Sequence, residues 1–303
     1  MDFFTIRVNI GSAESEELFK AYLRETVGRL HTCNVELSYG ATLDGGLEAV
    51  VGRRAETAGD QETREQLLDL LARGLTEYIM DVKEEEFVTR IMNREYSFAS
   101  QEEMQNVNQL VNRMLAEDEE EGGRAEEQRK ALVQEAIRSY LRQSPILHLD
   151  GFAVFRLKEY EAKLREIIDF AIDEYLLDKQ YEEFIGLLQY FVYFQEPLTP
   201  LVHLMHKQGH EFAILNEKFT TIHAPAPGGV VARIADQEME MEDVIVSTLI
   251  SLSPDRILIH TQDPDAQVIT TISRIFGERV ELCLLCPHCK LFHQEYRRLD
   301  QGT

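Results

Sequence analysis

The chain has 303 residues, 44% of them hydrophobic, with 15 Phe, 11 Tyr and no Trp, which is material for one large or two modest packed domains. Its 54 acidic against 31 basic residues leave a net charge of -23, so long-range repulsion argues against nucleic acid and anionic membrane surfaces as partners. No basic run longer than pairs such as Arg53-Arg54 and Arg297-Arg298 offers a local exception.

Phe3 to Ile10 is rich in β-formers, Glu14 to Leu30 is amphipathic, and Asn34 to Ser38 and Leu47 to Val51 read as short strands. Between the last two, Asp44-Gly45-Gly46 supplies a hairpin turn, because glycine tolerates positive φ, and predicts antiparallel pairing. The start of the chain has an early acid and no basic cluster, unlike a secretory signal. A cytoplasmic protein is the expectation.

From Gln61 to Leu115 the pattern turns helical, with Leu67, Leu68, Leu71, Leu75, Tyr78 and Ile79 recurring at three- and four-residue steps. Ser100 with Glu103 fits a capping box and predicts a helix from Gln101. Glu117 to Gly123, five acids and two glycines, reads as a loop. Leu157 to Leu176 forms one helix with a wet side carrying Glu159, Lys163, Glu166, Asp169 and Asp173. A second helix follows through Tyr181, Phe184, Ile185, Leu187, Leu188, Phe191 and Val192, with a wider apolar face that should sit deeper, and Pro197 and Pro200 close it. The apolar run from Phe184 to Phe194 is short of the roughly 20 residues a spanning helix needs and reads as a buried helix.

Beyond Glu211, Phe212 to Leu215 and Phe219 to Ile222 read as strands. Helix Glu242 to Leu252, strand Arg256 to His260, helix Asp265 to Phe276 and strand Arg279 to Leu284 then alternate, which favours parallel pairing. The expected fold is α+β and mainly helical, with a small α/β unit over residues 1–60, central amphipathic helices over 61–200, and an α/β unit over 201–303 ending in a cysteine-rich segment.

The stretches Phe155-Arg156-Leu157-Lys158-Glu159-Tyr160, Ile168-Asp169-Phe170-Ala171-Ile172-Asp173-Glu174-Tyr175-Leu176 and Glu182-Glu183-Phe184-Ile185-Gly186-Leu187-Leu188-Gln189-Tyr190-Phe191-Val192 resemble the YtxC-like family of endospore-forming bacteria, as do Ser247-Thr248-Leu249-Ile250 and Pro254. The likeness covers the C-terminal half, and the N-terminal half by length and general pattern. It implies a sporulation-associated cytoplasmic protein and carries no catalytic residue or activity with it.

Three groups of residues are candidates for function. Glu159, Asp169 and Asp173 give the central helix an acidic interaction surface or simply a solvated one. His203, His206 and His210 would lie near one face of a continuous helix, as metal ligands or as structural and surface residues, unless Gly209 ends that helix first. Cys283, Cys286, Cys289 and His293 are the third group, and three uses compete for them. Three thiolates and an imidazole match a closed zinc site, although the cluster is more compact than two separated ligand pairs. Cys286-Pro287-His288-Cys289 is similar to the redox motif of oxidising thioredoxin-like proteins, but only 14 residues follow it, too few for the strands of that fold. Burial as small apolar residues is the third.

No P-loop, dinucleotide glycine pattern or nucleophile elbow occurs. The expectation is therefore a non-enzymatic factor acting through a protein partner and needing no cofactor, the alternative being a zinc-binding or thiol-redox protein that uses the terminal cysteines.

Overall fold

The computed structural model describes residues 2–29, 35–42, 45–53, 60–120, 124–206, 212–222, 241–284 and 286–288. The chain divides into two compact units, Met1–Leu176 and Leu177–Thr303. Mainly helical α+β is the class, with one four-stranded mixed sheet in each unit.

In the first unit β1 (Asp2–Val8) pairs antiparallel with β3 (Leu47–Arg53), which pairs antiparallel with β2 (Val35–Ala41). The β2–β3 turn has Gly45 at φ 81, the left-handed conformation the glycine pair was expected to supply; Asp44 lies outside the described residues. A short parallel strand, β4 (Ile146–His148), lies on the other side of β1 and was not expected, since three residues after Pro145 show no alternation. Along β1 the side chains of Phe4, Ile6 and Val8 are buried while Thr5 and Arg7 are half-exposed, as the two-residue period requires.

Those strands share one core with α1 (Ala13–Gly28), α2 (Asp60–Tyr78), α3 (Glu84–Glu95), α4 (Gln101–Glu120), α5 (Arg124–Gln143), α6 (Leu149–Arg156) and residues 158–176 of α7 (Lys158–Phe194). Ser12 caps α1 by accepting from the Ser15 N–H, and a π-helical turn, Ile79–Lys83, joins α2 to α3. α1 and α2 approach so closely that a Cβ on Gly74 would lie 1.9 Å from Thr26 Oγ1. The capping box at α4 forms: Ser100 Oγ accepts from the Glu103 N–H, and Glu103 accepts from the Ala99 N–H. One ionic group is sunk in this core. Arg129, 2% exposed, reaches Glu84 Oε1 at 3.3 Å, and the Tyr160 hydroxyl donates to the same oxygen at 2.8 Å. Burial pushes the Glu84 carboxyl above its ordinary range.

The central stretch differs from expectation in two ways. Instead of two helices there is one of 37 residues, because no Gly or Pro interrupts 176–181 strongly enough to end it. Its second half is not the buried helix expected: Ile185 and Val192 are buried, but Phe184, Leu187, Tyr190, Phe191, Tyr193 and Phe194 are all more than half exposed.

In the second unit β5 (Thr199–His206) is flanked by antiparallel β6 (Phe212–Asn216) and parallel β7 (Pro254–His260), and β7 by parallel β8 (Val280–Cys283). The expected βαβ alternation is present, with α8 (Met241–Leu252) before β7 and α9 (Gln267–Phe276) before β8. Phe219 to Ile222 is not a strand: it contributes a single bridge, Leu215 to Thr221. Val202 and Leu204 of β5 and Ile257 and Ile259 of β7 form a core with Ile185 and Val192 of α7, Ile245 and Leu249 of α8, and the apolar face of α9. Ser253, at φ 38, closes α8 through its N–H to Leu249 O, and its own carbonyl accepts from the N–H groups of Leu198 and Thr199.

A candidate metal centre at the ends of parallel strands

The strand register decides which side chains meet. His203 pairs with Leu258, Met205 with His260, and His260 with Cys283. Since side chains alternate, His203, Met205, Leu258, His260 and Cys283 share the face opposite the Val202 and Ile257 core. His260 and Cys283 are the final residues of neighbouring parallel strands, at the carboxyl edge where open α/β sheets usually bind ligands.

There, one ligand atom each from His260, Cys283 and Cys286 lies within 4.8 Å of the others, His260 buried and both cysteines half-buried. Cys286 Sγ is 3.6 Å from His260 Nδ1. Zinc bonds of about 2.3 Å to sulfur and 2.0 Å to nitrogen, opened to the tetrahedral angle, give a sulfur–nitrogen edge of about 3.5 Å. The opposite ring atom, His260 Nε2, is 3.0 Å from His203 Nδ1. A metal held on Nδ1 would leave the proton on Nε2, free to be donated to His203, the outer-shell arrangement that fixes ligand histidines.

His203 is 5% exposed, and burial holds its pKa below the ordinary value, with the charge of His288 adding to the effect. A neutral ring with a free Nδ1 lone pair is what the His260 bond requires. Phe219 stacks between these two rings, its centroid 4.1 Å from that of His203 and 3.9 Å from that of His288. It is placed there by a turn in which Asn216 Oδ1 accepts from the Lys218 and Thr220 N–H groups while Phe219 takes φ 58. A bulky residue held in the left-handed region costs on the order of 1–3 kcal/mol, which the surrounding contacts must offset.

The three-histidine helix expected from sequence is a strand, so His203 and His206 point to opposite faces. His206 instead bonds Thr261 Oγ1 at 2.7 Å and stacks on Phe212 at 4.6 Å; His210 lies outside the described residues. Of the cysteine group, Cys283 and Cys286 come together, and Cys289 and His293 lie outside the described residues. His260 was not singled out, being 23 positions before Cys283 and reached only through β7–β8 pairing. The alternation of Leu258, Ile259 and His260 at a strand end, followed by a helix and a cysteine-ending strand, was the available signal. Glu159, Asp169 and Asp173 are exposed on α7, with Asp169 accepting from the Tyr96 hydroxyl at 2.6 Å.

The second unit thus presents thiols and imidazoles at the carboxyl edge of an open α/β sheet. The chain belongs to the YtxC-like family, whose model matches residues 69–281. It is similar to the Bacillus subtilis (strain 168) protein described as "Uncharacterized protein YtxC", at 26% identity over 216 residues, which cover 69% of this chain and 74% of that protein. No solved structure matches the chain. His203 and His260 fall within the family match, and Cys283 and Cys286 follow it directly. Among the described residues, no helix is long and apolar enough to cross a membrane.

Proposed function

We propose that the second unit binds a thiophilic divalent cation, with zinc the best fit, through His260 Nδ1 and the thiolates of Cys283 and Cys286. The convergence of those three atoms within 4.8 Å carries the reading. Two thiolates and an imidazole favour zinc over magnesium or calcium, which take oxygen ligands. Cys289, paired with Cys286 at the two-residue interval of zinc-binding cysteines, is proposed as the fourth donor on sequence spacing, with His293 as its alternative. Four protein donors leave no open position, so the ion's role is structural, tying β7 to β8 and the segment after it. The competing use of the same atoms is thiol redox chemistry at Cys286, whose Sγ lies 3.6 Å from His260 Nδ1.

Metal analysis of the full chain purified under reducing conditions tests this. About one equivalent of zinc is expected, lost in His260→Ala and Cys286→Ser and kept in Cys33→Ser. A chain without stoichiometric zinc or iron, or with full metal in both site variants, would falsify the reading.

A second reading places the protein in the cytoplasm of a sporulating cell as a non-enzymatic interaction factor, with Glu159, Asp169 and Asp173 as its acidic contact surface. It is supported by the kinship with a Bacillus subtilis protein and by the exposure of those three carboxylates. Normal spore counts in a deletion strain, and in a strain with all three acids replaced by Asn or Gln, would end it.

A further inference from the structure

Strand register in the first unit sets a row of polar groups across one face of its sheet. Arg7 of β1 stands opposite Glu48 of β3 on one side and His148 of β4 on the other. Their neighbours Ile6, Val8, Leu47, Ala49 and Leu147 are all buried, so Arg7, Glu48 and His148 share the face away from the core. Arg7 donates through Nε to Glu48 Oε2, and its Nη1 lies 3.3 Å from His148 Nε2. A guanidinium only donates, so a bond there needs the Nε2 lone pair and leaves the ring proton on Nδ1.

The row borders a cavity of about 570 Å³ at the carboxyl ends of β1, β2 and β4, lined from three separate parts of the chain. Small-molecule sites run to about 300–1,000 Å³, and the carboxyl ends of strands are where open α/β sheets take ligands. One step beyond the row, the Asn9 N–H donates to Asp150 Oδ2 at 2.7 Å, tying the exits of β1 and β4 together in the cavity wall. Among the described residues, Arg7 Nη2, Glu48 Oε1 and Asp150 Oδ1 make no bond. Charged donors and charged acceptors are therefore left over around the same space.

We infer that this cavity binds a small zwitterion of the α-amino acid type, its carboxylate on Arg7 Nη2 and His148 Nδ1 and its ammonium on Asp150 Oδ1 and Glu48 Oε1. Charge selects that class. An anion alone would meet Arg7 but lie beside two carboxylates, and a cation alone would lie beside the guanidinium; a ligand carrying both signs leaves neither side opposed. Among the described residues no aromatic ring lines the cavity, so a nucleobase has nothing to stack on. Spacing agrees with the assignment. Asn9, which holds Asp150, is two residues beyond Arg7, roughly 7 Å at 3.3 Å per residue, a span that one carboxylate and one ammonium bridge through hydrogen bonds of about 2.8 Å at each end. Pairing across the strands accounts for Arg7 and Glu48, whereas Asp150 stands outside that row and adds the second carboxylate. The site belongs to the first unit and does not depend on the metal reading of the second.

Isothermal titration of the full chain with each of the common L-amino acids, and with acetate and ethylammonium as single-charge probes, tests the assignment. At least one amino acid should bind with a Kd of about 1 mM or tighter, and both single-charge probes at least 10-fold more weakly. Arg7→Gln and Asp150→Asn should each weaken the amino acid at least 10-fold. Gly151→Leu blocks the cavity without removing a polar group, and a Cβ there meets no atom within 4 Å, so that variant should fold and bind nothing. Circular dichroism confirms the fold of each variant. A chain that binds no amino acid at about 10 mM overturns the proposal, as does acetate or ethylammonium binding as tightly as the best amino acid, or an affinity unchanged in any of the three folded variants.

Discussion

Replacing His203 with Ala, beside His206 with Ala as its control, separates a metal site from a patch of satisfied histidines. His203 Nδ1 sits 3.0 Å from His260 Nε2 and is 5% exposed, so its loss leaves the His260 N–H facing a space poor in water. Removing an outer-shell partner of a metal-bound histidine typically weakens binding 10–100-fold, or about 1.4–2.7 kcal/mol. Because His260 is buried, the upper half of that range, about 30–100-fold, is expected. His206 is also buried, bonds the Thr261 hydroxyl and stacks on Phe212, but on the other face of the sheet. His206→Ala should therefore lower the melting temperature of the metal-free chain about as much as His203→Ala and leave zinc affinity unchanged. Zinc competition against a chromogenic chelator reads the affinities. Equal affinity losses in the two variants, or none in His203→Ala, would refute the argument that the His203–His260 bond orients a ligand.

Two further predictions concern the first unit. Gly74→Ala gains about 1 kcal/mol of helix propensity but sets a methyl 1.9 Å from Thr26 Oγ1, and overpacking of that kind costs about 1–3 kcal/mol. A net loss of about 1 kcal/mol in urea denaturation is expected, partly recovered by adding Thr26→Ala; a more stable Gly74→Ala would show that α1 and α2 can move apart freely. Arg129→Met leaves Glu84 buried without its guanidinium and still accepting from Tyr160, at a cost of about 3–5 kcal/mol near neutral pH. The Glu84 pKa is already raised above 4.5 in the folded chain and rises further without the guanidinium, so the variant loses stability as pH climbs above 4.5 towards the folded value. Its deficit should shrink near pH 4, and a pH-independent deficit would show that the packing of the Arg129 stem, not its charge, is what matters.

The sequence disclosed periodicity well and partnership poorly. Glycines at 45 and 46, the Leu67 to Ile79 pattern and the alternation from 242 to 284 each follow from neighbours along the chain, and each produced the element expected. The histidines failed because spacings of three and four suit a helix, while Leu201, Val202, Leu204 and Met205 around the first two are equally at home in a strand. Parallel pairing with β7 settled the matter, and no local pattern encodes it. Phe184 to Phe194 failed for a related reason: a wide apolar face says that a helix will be covered, not that its own chain covers it. At the candidate site, sequence proximity found Cys283 and Cys286, while His260 and His203 entered through sheet register alone.

That dependence on register gives Ser253 a remote significance. Its carbonyl holds the Leu198 and Thr199 N–H groups at the amino ends of β5 and β7, where Thr199 stands opposite Pro254. Slipping β5 by one residue against β7 would turn His203 towards the helices and bring Leu204 over the thiols. The site lies about six residues further along the strands, roughly 20 Å at 3.3 Å per residue. A single carbonyl therefore acts as the ruler's zero mark, and an error there is read as the wrong chemistry at the far end of the sheet.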